Sequence, residues 1–331
     1  MPAEPSTKAT AWAIFDRIVA DAAPAGVHSN PWLRSGETLS YRPDFRVLRK
    51  LLGVPLYLDA PSTTGVPALA LDVWLSYELR RAGFHPDGVW PRPTDPRIMP
   101  GAIANLLDGL PQKERQLIEH RLRRSMKGVA GSSASILGKH YMKQVDVVMS
   151  DWDTGPELLI STKRMDSSFG KNAANRVEES YGDAKNLRLR HPLAALGFVY
   201  GLRSTILTSE PDKAEWLIDL LAKLGTEDDA YHAVALVMID YEAEAAESPD
   251  KEVDSVESAE TDALFEIVDV ETAAVDEALA ALPDIAIRHD TVPPALQPAR
   301  FLATMANRVI DISPVTRHRE ARRRRACAAE D

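Results

Sequence analysis

Apolar and polar positions along the chain fall into separable stretches with different periods. Residues 11 to 23 repeat as a short amphipathic helix, and VPALALDVWLSYELRRAGF at 66 to 84 contains a stronger one that Gly83 ends. Pro91, Pro93, Pro96 and Pro100 then break regular structure, so WPRPTDPRIMPG reads as a loop or extended connector. From Pro111 to about Lys127 the helical period returns. Leu117, Ile118 and Leu122 lie on one side and Lys113, Arg115, Arg121 and Arg124 elsewhere, which makes a helix with a basic surface.

The period then changes to two. Valines dominate 145 to 148, turn chemistry follows at Asp153, Thr154, Gly155 and Pro156, and ELLISTK resumes strand character, so DVVMSDWDTGPELLISTK predicts a β-hairpin. NAANRVEESYGDAKNLRLR, residues 172 to 190, predicts a helix with Asn172 as N-cap and Pro192 marking its stop. LAALGFVYGLRSTIL at 193 to 207 is apolar enough for a buried strand, and Pro211 opens a helix through about Leu224. YHAVALVMIDYE suits a buried strand or helix equally. The order strand, turn, strand, helix, strand predicts an α/β fold.

With 331 residues, the chain suits either one elaborated domain or two. The single cysteine, Cys327, excludes an intrachain disulfide and suits a reducing compartment. The N-terminus lacks the basic start and apolar run of an export signal, and the longest strongly apolar run, AVALVMI at 233 to 239, is far shorter than the roughly 20 residues a bilayer demands. A cytoplasmic protein with no membrane partner is expected.

Net charge is −10, but residues 240 to 271 alone hold thirteen acidic side chains and one lysine, so the remainder carries +2. Residues 111 to 145 hold eight Lys or Arg against two Glu. A polyanion is therefore compatible with the region just before the hairpin. Trp74, Trp90 and Trp152 read as core or interface groups rather than base-stacking platforms.

Candidate chemistry gathers at the hairpin. Strand alternation puts Ser161 and Lys163 on one face with Leu159, while Leu158, Ile160 and Thr162 point the other way. An antiparallel neighbour brings Asp146 to the same polar end. A carboxylate and a lysine there suit a divalent-metal site, in which hard oxygens hold Mg²⁺ and the lysine orients water or stabilises charge on a phosphate. Solvated strand ends and a structural ion-pair network use the same residue types.

Asp146, the turn and Ser161-Thr162-Lys163 resemble the core of the PD-(D/E)xK nuclease superfamily, with serine at the usual acidic position. SSFGKNAANRVEESYGDAKNLRLR also resembles the FGxN…NRxEEAxGxA stretch of type II restriction enzymes, some of which have Ser-x-Lys and draw the missing carboxylate from the following helix. The resemblance spans about residues 137 to 205. It implies a restriction-endonuclease-like core with a central mixed sheet flanked by helices, plus additional helical regions. It also implies catalytic Asp146, Ser161, Lys163, Glu178 and Glu179, with Mg²⁺ held by Asp146, Glu178 and the Thr162 carbonyl. Glu178 is modestly preferred to Glu179, and because adjacent helical residues point about 100° apart the two are not expected to bind the same metal equally well. Glu157 is a weaker contender.

Double-stranded DNA is the implied substrate. Lys139, His140 and Lys143 before Asp146, and Arg164, Lys171, Asn172, Asn175 and Arg176 after Lys163, are the candidate DNA contacts. The tail RHREARRRR offers nonspecific contacts or a solvated end. The implied organisation is a mainly helical region over 1–100, a nuclease core over 101–240, an acidic linker over 241–262 and a C-terminal region over 263–331. A homodimer cutting both strands and a companion DNA methyltransferase are the expected partners. A catalytically silent DNA-binding or assembly protein on the same scaffold is the alternative.

Overall fold

A computed structural model describes residues 6–122, 134–167, 169–242 and 272–330. Most of the acidic linker expected at 241–262 lies outside the described residues. The first helix, α1 (Thr7–Ala22), starts where the Ser6 hydroxyl accepts a hydrogen bond from the Ala9 N–H. The hairpin β1 (Trp32–Ser35) and β2 (Thr38–Tyr41) leads into α2 (Phe45–Tyr57), capped by Asp44, and then α3 (Val66–Arg81). A short strand β3 (Val89–Trp90) precedes α4 (Gly101–Asp108) and α5 (Gln112–Leu122).

The central stretch runs β4 (Ala134–Leu137), β5 (Met142–Val145), β6 (Val147–Asp151), β7 (Gly155–Met165), α6 (Phe169–Arg188) and β8 (Ala195–Arg203). Next come α7 (Ile206–Ser209), α8 (Pro211–Leu224) and β9 (Ala233–Asp240). The remainder is α9 (Thr272–Ala280), β10 (Ala286–Ile287), α10 (Pro298–Ile312), α11 (Arg319–Ala326) and β11 (Ala329–Glu330).

The α/β class is borne out. Among the described residues a six-stranded mixed sheet has the order β10-β9-β8-β7-β6-β3. β6 and β7 form the expected antiparallel hairpin, whose turn uses Gly155 at φ +69°, while β7, β8 and β9 run parallel. The run at 233–239, open between helix and strand, is the buried strand β9, because it pairs along β8 with apolar neighbours on both faces. The helix expected from Asn172 begins at Phe169, so Asn172 lies within its first turns rather than at its cap.

Helices cover both faces. Leu158 and Ile160 of β7 pack with α3 and with Phe301, Leu302 and Met305 of α10, whereas Leu159 packs with Val177 and Ala184 of α6 and Leu217 of α8. Each large apolar side chain buried this way contributes about 1.5–3 kcal/mol. Gly197 of β8 admits α10 at close range, since a Cβ there would lie 2.7 Å from Phe301 Cζ. α3, from the segment expected to be mainly helical, packs in the same core as β6 and β7.

The basic tail is ordered. Arg324 donates to the carbonyls of Arg81 and His28, Arg322 donates to those of Ile310 and Ser313, and β11 pairs in parallel with β1. Among the described residues no helix is long and apolar enough to cross a membrane.

Candidate active site

Asp146 is the one residue between β5 and β6, and it marks the point where the chain leaves the small β4–β5 ribbon and enters the main sheet. Its Oδ2 accepts a 2.8 Å hydrogen bond from the Thr162 N–H. In an extended strand the N–H and C=O of one residue point to the same edge, so the Thr162 carbonyl also faces Asp146. The hairpin therefore joins its two polar ends as the sequence led one to expect.

A residue that sequence reasoning passed over completes the arrangement. Asp72, on α3, accepts a 2.6 Å hydrogen bond from Thr162 Oγ1. Thr162 is thus held by Asp146 through its backbone and by Asp72 through its side chain. Burial, and then the negative charge of Asp146, push the Asp72 carboxyl well above its ordinary value. Burial also raises Asp146, against the opposing pull of the Thr162 N–H and of Lys163 and Lys143. With Asp72 buried and Asp146 half-buried around one threonine, the two cannot both ionise cheaply without a cation.

Lys163 projects from the face of β7 that α6 covers, and its Nζ lies 3.7 Å from Glu179 Oε1. Glu179 also meets Lys143 Nζ at 3.4 Å. Burial alone would raise the Glu179 carboxyl, but Lys163 and Lys143 outweigh it and hold it below its ordinary value. Glu178, the preferred acid, is solvent-exposed one position away. The rotation of about 100° between helical neighbours works, but in favour of Glu179.

Ser161 is buried beside the Tyr231 phenol, whose hydroxyl donates to the Ser180 carbonyl of α6 at 2.8 Å. The vacated acidic position thus holds a buried serine. Glu157, near the far end of β7, sits 3.0 Å from His318 Nε2, away from this cluster.

The candidate DNA contacts separate into three kinds. Lys139 and His140 are exposed at the tip of the β4–β5 ribbon, and Asn175 is exposed with Arg176 half-buried on α6. Lys143 is committed to Asp183 at 2.5 Å and to Glu179, so a phosphate must compete for it. Arg164 is withdrawn: its side chain is 2% exposed, with Nε 2.9 Å from Asp166 Oδ2 and Nη1 donating to the Pro67 carbonyl. It cannot reach DNA in this structure. Lys171 and Asn172 lie on α6, and their side chains fall outside the described residues. Arg322 and Arg324 are occupied by backbone carbonyls, Arg323 and Arg324 by Glu320, and Arg325 by Asp311, so most of the tail is not a free basic arm. Trp74 is buried in the core and Trp90 half-buried, but Trp152 is 93% exposed at the turn of the β6–β7 hairpin, at the opposite end from Asp146.

Asp72 and Asp146 offer hard oxygen donors, and Mg²⁺ typically binds through one or two carboxylates with water and substrate phosphate filling its other positions. The donor set fits that cation. Comparison of the chain with protein-family models, curated proteins and solved structures finds no match.

Proposed function

We propose that this protein is a Mg²⁺-dependent endonuclease that hydrolyses phosphodiester bonds in double-stranded DNA, on a restriction-endonuclease-like core, in the manner of a type II restriction enzyme. The observation that carries this reading is the pair of carboxylates, half-buried Asp146 and buried Asp72, bracketing Thr162 beside Lys163. A bound divalent cation supplies charge neutralisation at the phosphate and acidifies the attacking water.

The chain's own groups do the rest. Asp146 and Asp72 would hold the cation, with the Thr162 carbonyl as a further oxygen. Lys163, oriented by Glu179, donates hydrogen bonds to the attacking water and to the phosphoryl oxygens as negative charge builds on them. The water oxygen bonds to phosphorus and gives up a proton to solvent, one P–O ester bond breaks, and the departing oxygen takes up a proton from solvent. No covalent enzyme intermediate is involved. Glu179 replaces Glu178 in this scheme, as a positioning residue for Lys163. A homodimer with one site per strand, and a methyltransferase protecting host DNA, belong to the same proposal.

One observation favours a second reading. Among the described residues no three His, Cys, Asp or Glu side chains form a metal-holding group, which suits a DNA-binding protein that has lost cleavage. Incubating the purified chain with methylated and unmethylated DNA, with Mg²⁺ or a chelator, separates the two. Cleavage that needs Mg²⁺ and disappears in Lys163→Ala and Asp146→Ala supports the nuclease. Cleavage undiminished in both variants removes this active site, and binding without cutting selects the second reading.

A further inference from the structure

The β4–β5 ribbon stands outside the main sheet, and its two faces differ sharply. Ala134 and Val145 form one cross-strand pair and Ile136 and Lys143 another, and Ala134, Val145 and Ile136 pack into the core beneath α6. The alternate pairs, Ser135 with Gln144 and Leu137 with Met142, face outward and are exposed. Tyr141 beside the tip is exposed as well. Leu137 and Met142 thus place two apolar side chains side by side on the outward face.

The ribbon is also unusually well fixed for an exposed hairpin. Asn186 Oδ1 accepts the His140 N–H at 2.8 Å, its Nδ2 donates to the Tyr141 carbonyl at 3.1 Å, and its own carbonyl accepts the Lys139 N–H at 2.8 Å. The Tyr141 hydroxyl donates to Asp183 at 3.1 Å. Gly138 makes room for this clasp, since a Cβ there would lie 2.1 Å from Asn186 Nδ2.

We infer that the outward face of this ribbon is the sequence-reading element for duplex DNA, resting on the nuclease reading above. Charge selects the occupant. Residues 134 to 145, ASILGKHYMKQV, hold no carboxylate, and Lys139 is exposed at the tip, while Lys143 lies on the inward face and is already paired with Asp183 and Glu179. A two-stranded ribbon fits the major groove, which is about 12 Å wide. Gln144 has the paired donor and acceptor that match adenine N6 and N7, Ser135 reads a neighbouring edge, and Leu137 and Met142 suit thymine methyls. Lys139 and His140 at the tip meet the flanking phosphates.

Position ties reading to cutting. Strand β5 runs directly into Asp146, so Met142 stands about 13 Å along the strand from the candidate metal site, at roughly 3.3 Å per residue. The bases read and the bond cut are held in a fixed register by continuous backbone. The clasp from Asn186 means that little ordering entropy remains to be lost on binding.

The test uses the full-length chain, with Ca²⁺ in place of Mg²⁺, to select from a randomised duplex pool, followed by anisotropy titrations at several salt concentrations. Wild type is expected to enrich one motif. Gln144→Ala should lose the preference at one base pair of it, by about 5- to 150-fold. Lys139→Ala should weaken all sequences alike and lower the salt slope by about one. Melting curves of both variants should match wild type, since these side chains are outside the core. If both variants enrich the wild-type motif with unchanged affinity, the ribbon is not the reading element, although Mg²⁺-dependent cleavage by wild type would leave the nuclease reading standing. Enrichment of single strands alone overturns the duplex assignment. A wild type that neither binds nor cuts removes both proposals.

Discussion

Replacing Asp72 by asparagine is expected to stabilise the metal-free protein and to abolish cleavage. Asp146 and Asp72 contact the backbone N–H and the hydroxyl of one residue, at 2.8 and 2.6 Å. Their charges are then on the order of 6 Å apart, and at an effective dielectric of about 20 their repulsion is about 3 kcal/mol. The substituted amide keeps an oxygen to accept from Thr162 Oγ1 while removing one charge. The folded pKa values of both acids lie above the ordinary 3.8, so the folded chain holds more protons than the unfolded chain as pH rises from that value. Stability of the metal-free wild type therefore falls as pH climbs through that window, and Asp72→Asn flattens the fall. Near pH 8 the variant should gain about 1–3 kcal/mol, at roughly 2–4 °C in Tm per kcal/mol for a chain somewhat smaller than this one. Mg²⁺ acts the other way: at 100 times its Kd it stabilises wild type by about 2.7 kcal/mol and the variant much less. Thermal melts from acid to alkaline pH, with a chelator or Mg²⁺, give both numbers. A variant less stable than wild type at alkaline pH, or raised as much as wild type by Mg²⁺, would refute the paired-carboxylate argument.

Glu179→Gln should cut the rate of cleavage by releasing Lys163, while Glu178→Ala leaves it close to wild type; single-turnover assays on one DNA substrate compare them directly. Gly197→Ala should cost about 1–3 kcal/mol in urea melts, because its Cβ meets Phe301 and Met305 of α10 below 3 Å and neither can retreat from a packed core. His28 and His232 are pushed down to about 4 by burial first and by neighbouring arginines second. As pH falls from about 6.5 towards 4 the unfolded chain gains protons that the folded one refuses, so stability drops in that window, and His232→Gln should lessen the drop in urea melts at either end of it.

The hairpin, α6 and α8 were legible because each is periodic and punctuated by proline or a turn, and β8 because its apolar run follows Pro192. Strand β9 was ambiguous because a run buried on both sides has no period to read. α2 left no clear trace in the pattern, carrying Gly53 and Pro55 within it. The tail was misjudged for a different reason: local charge predicts solvation, and only the tertiary fold supplies the carbonyls that occupy Arg322 and Arg324. Asp72 did leave a mark, a lone carboxylate inside ALALDVWL, but an acid in an apolar helix gains meaning only from what it faces. The choice between Glu178 and Glu179 depended on the rotational phase of α6, set by how Val177 and Ala184 pack against the sheet.

The Thr162 hydroxyl and Asp72 are 90 residues apart in the chain. The β6–β7 hairpin brings Asp146 to Thr162 by local contacts that form early, but Asp72 arrives only when α3 docks on the sheet. A partly folded or proteolysed chain holds at most half of the acid pair. On the proposed reading, a nascent or damaged molecule carries no cutting activity, and the last step of assembly doubles as the safeguard that arms it.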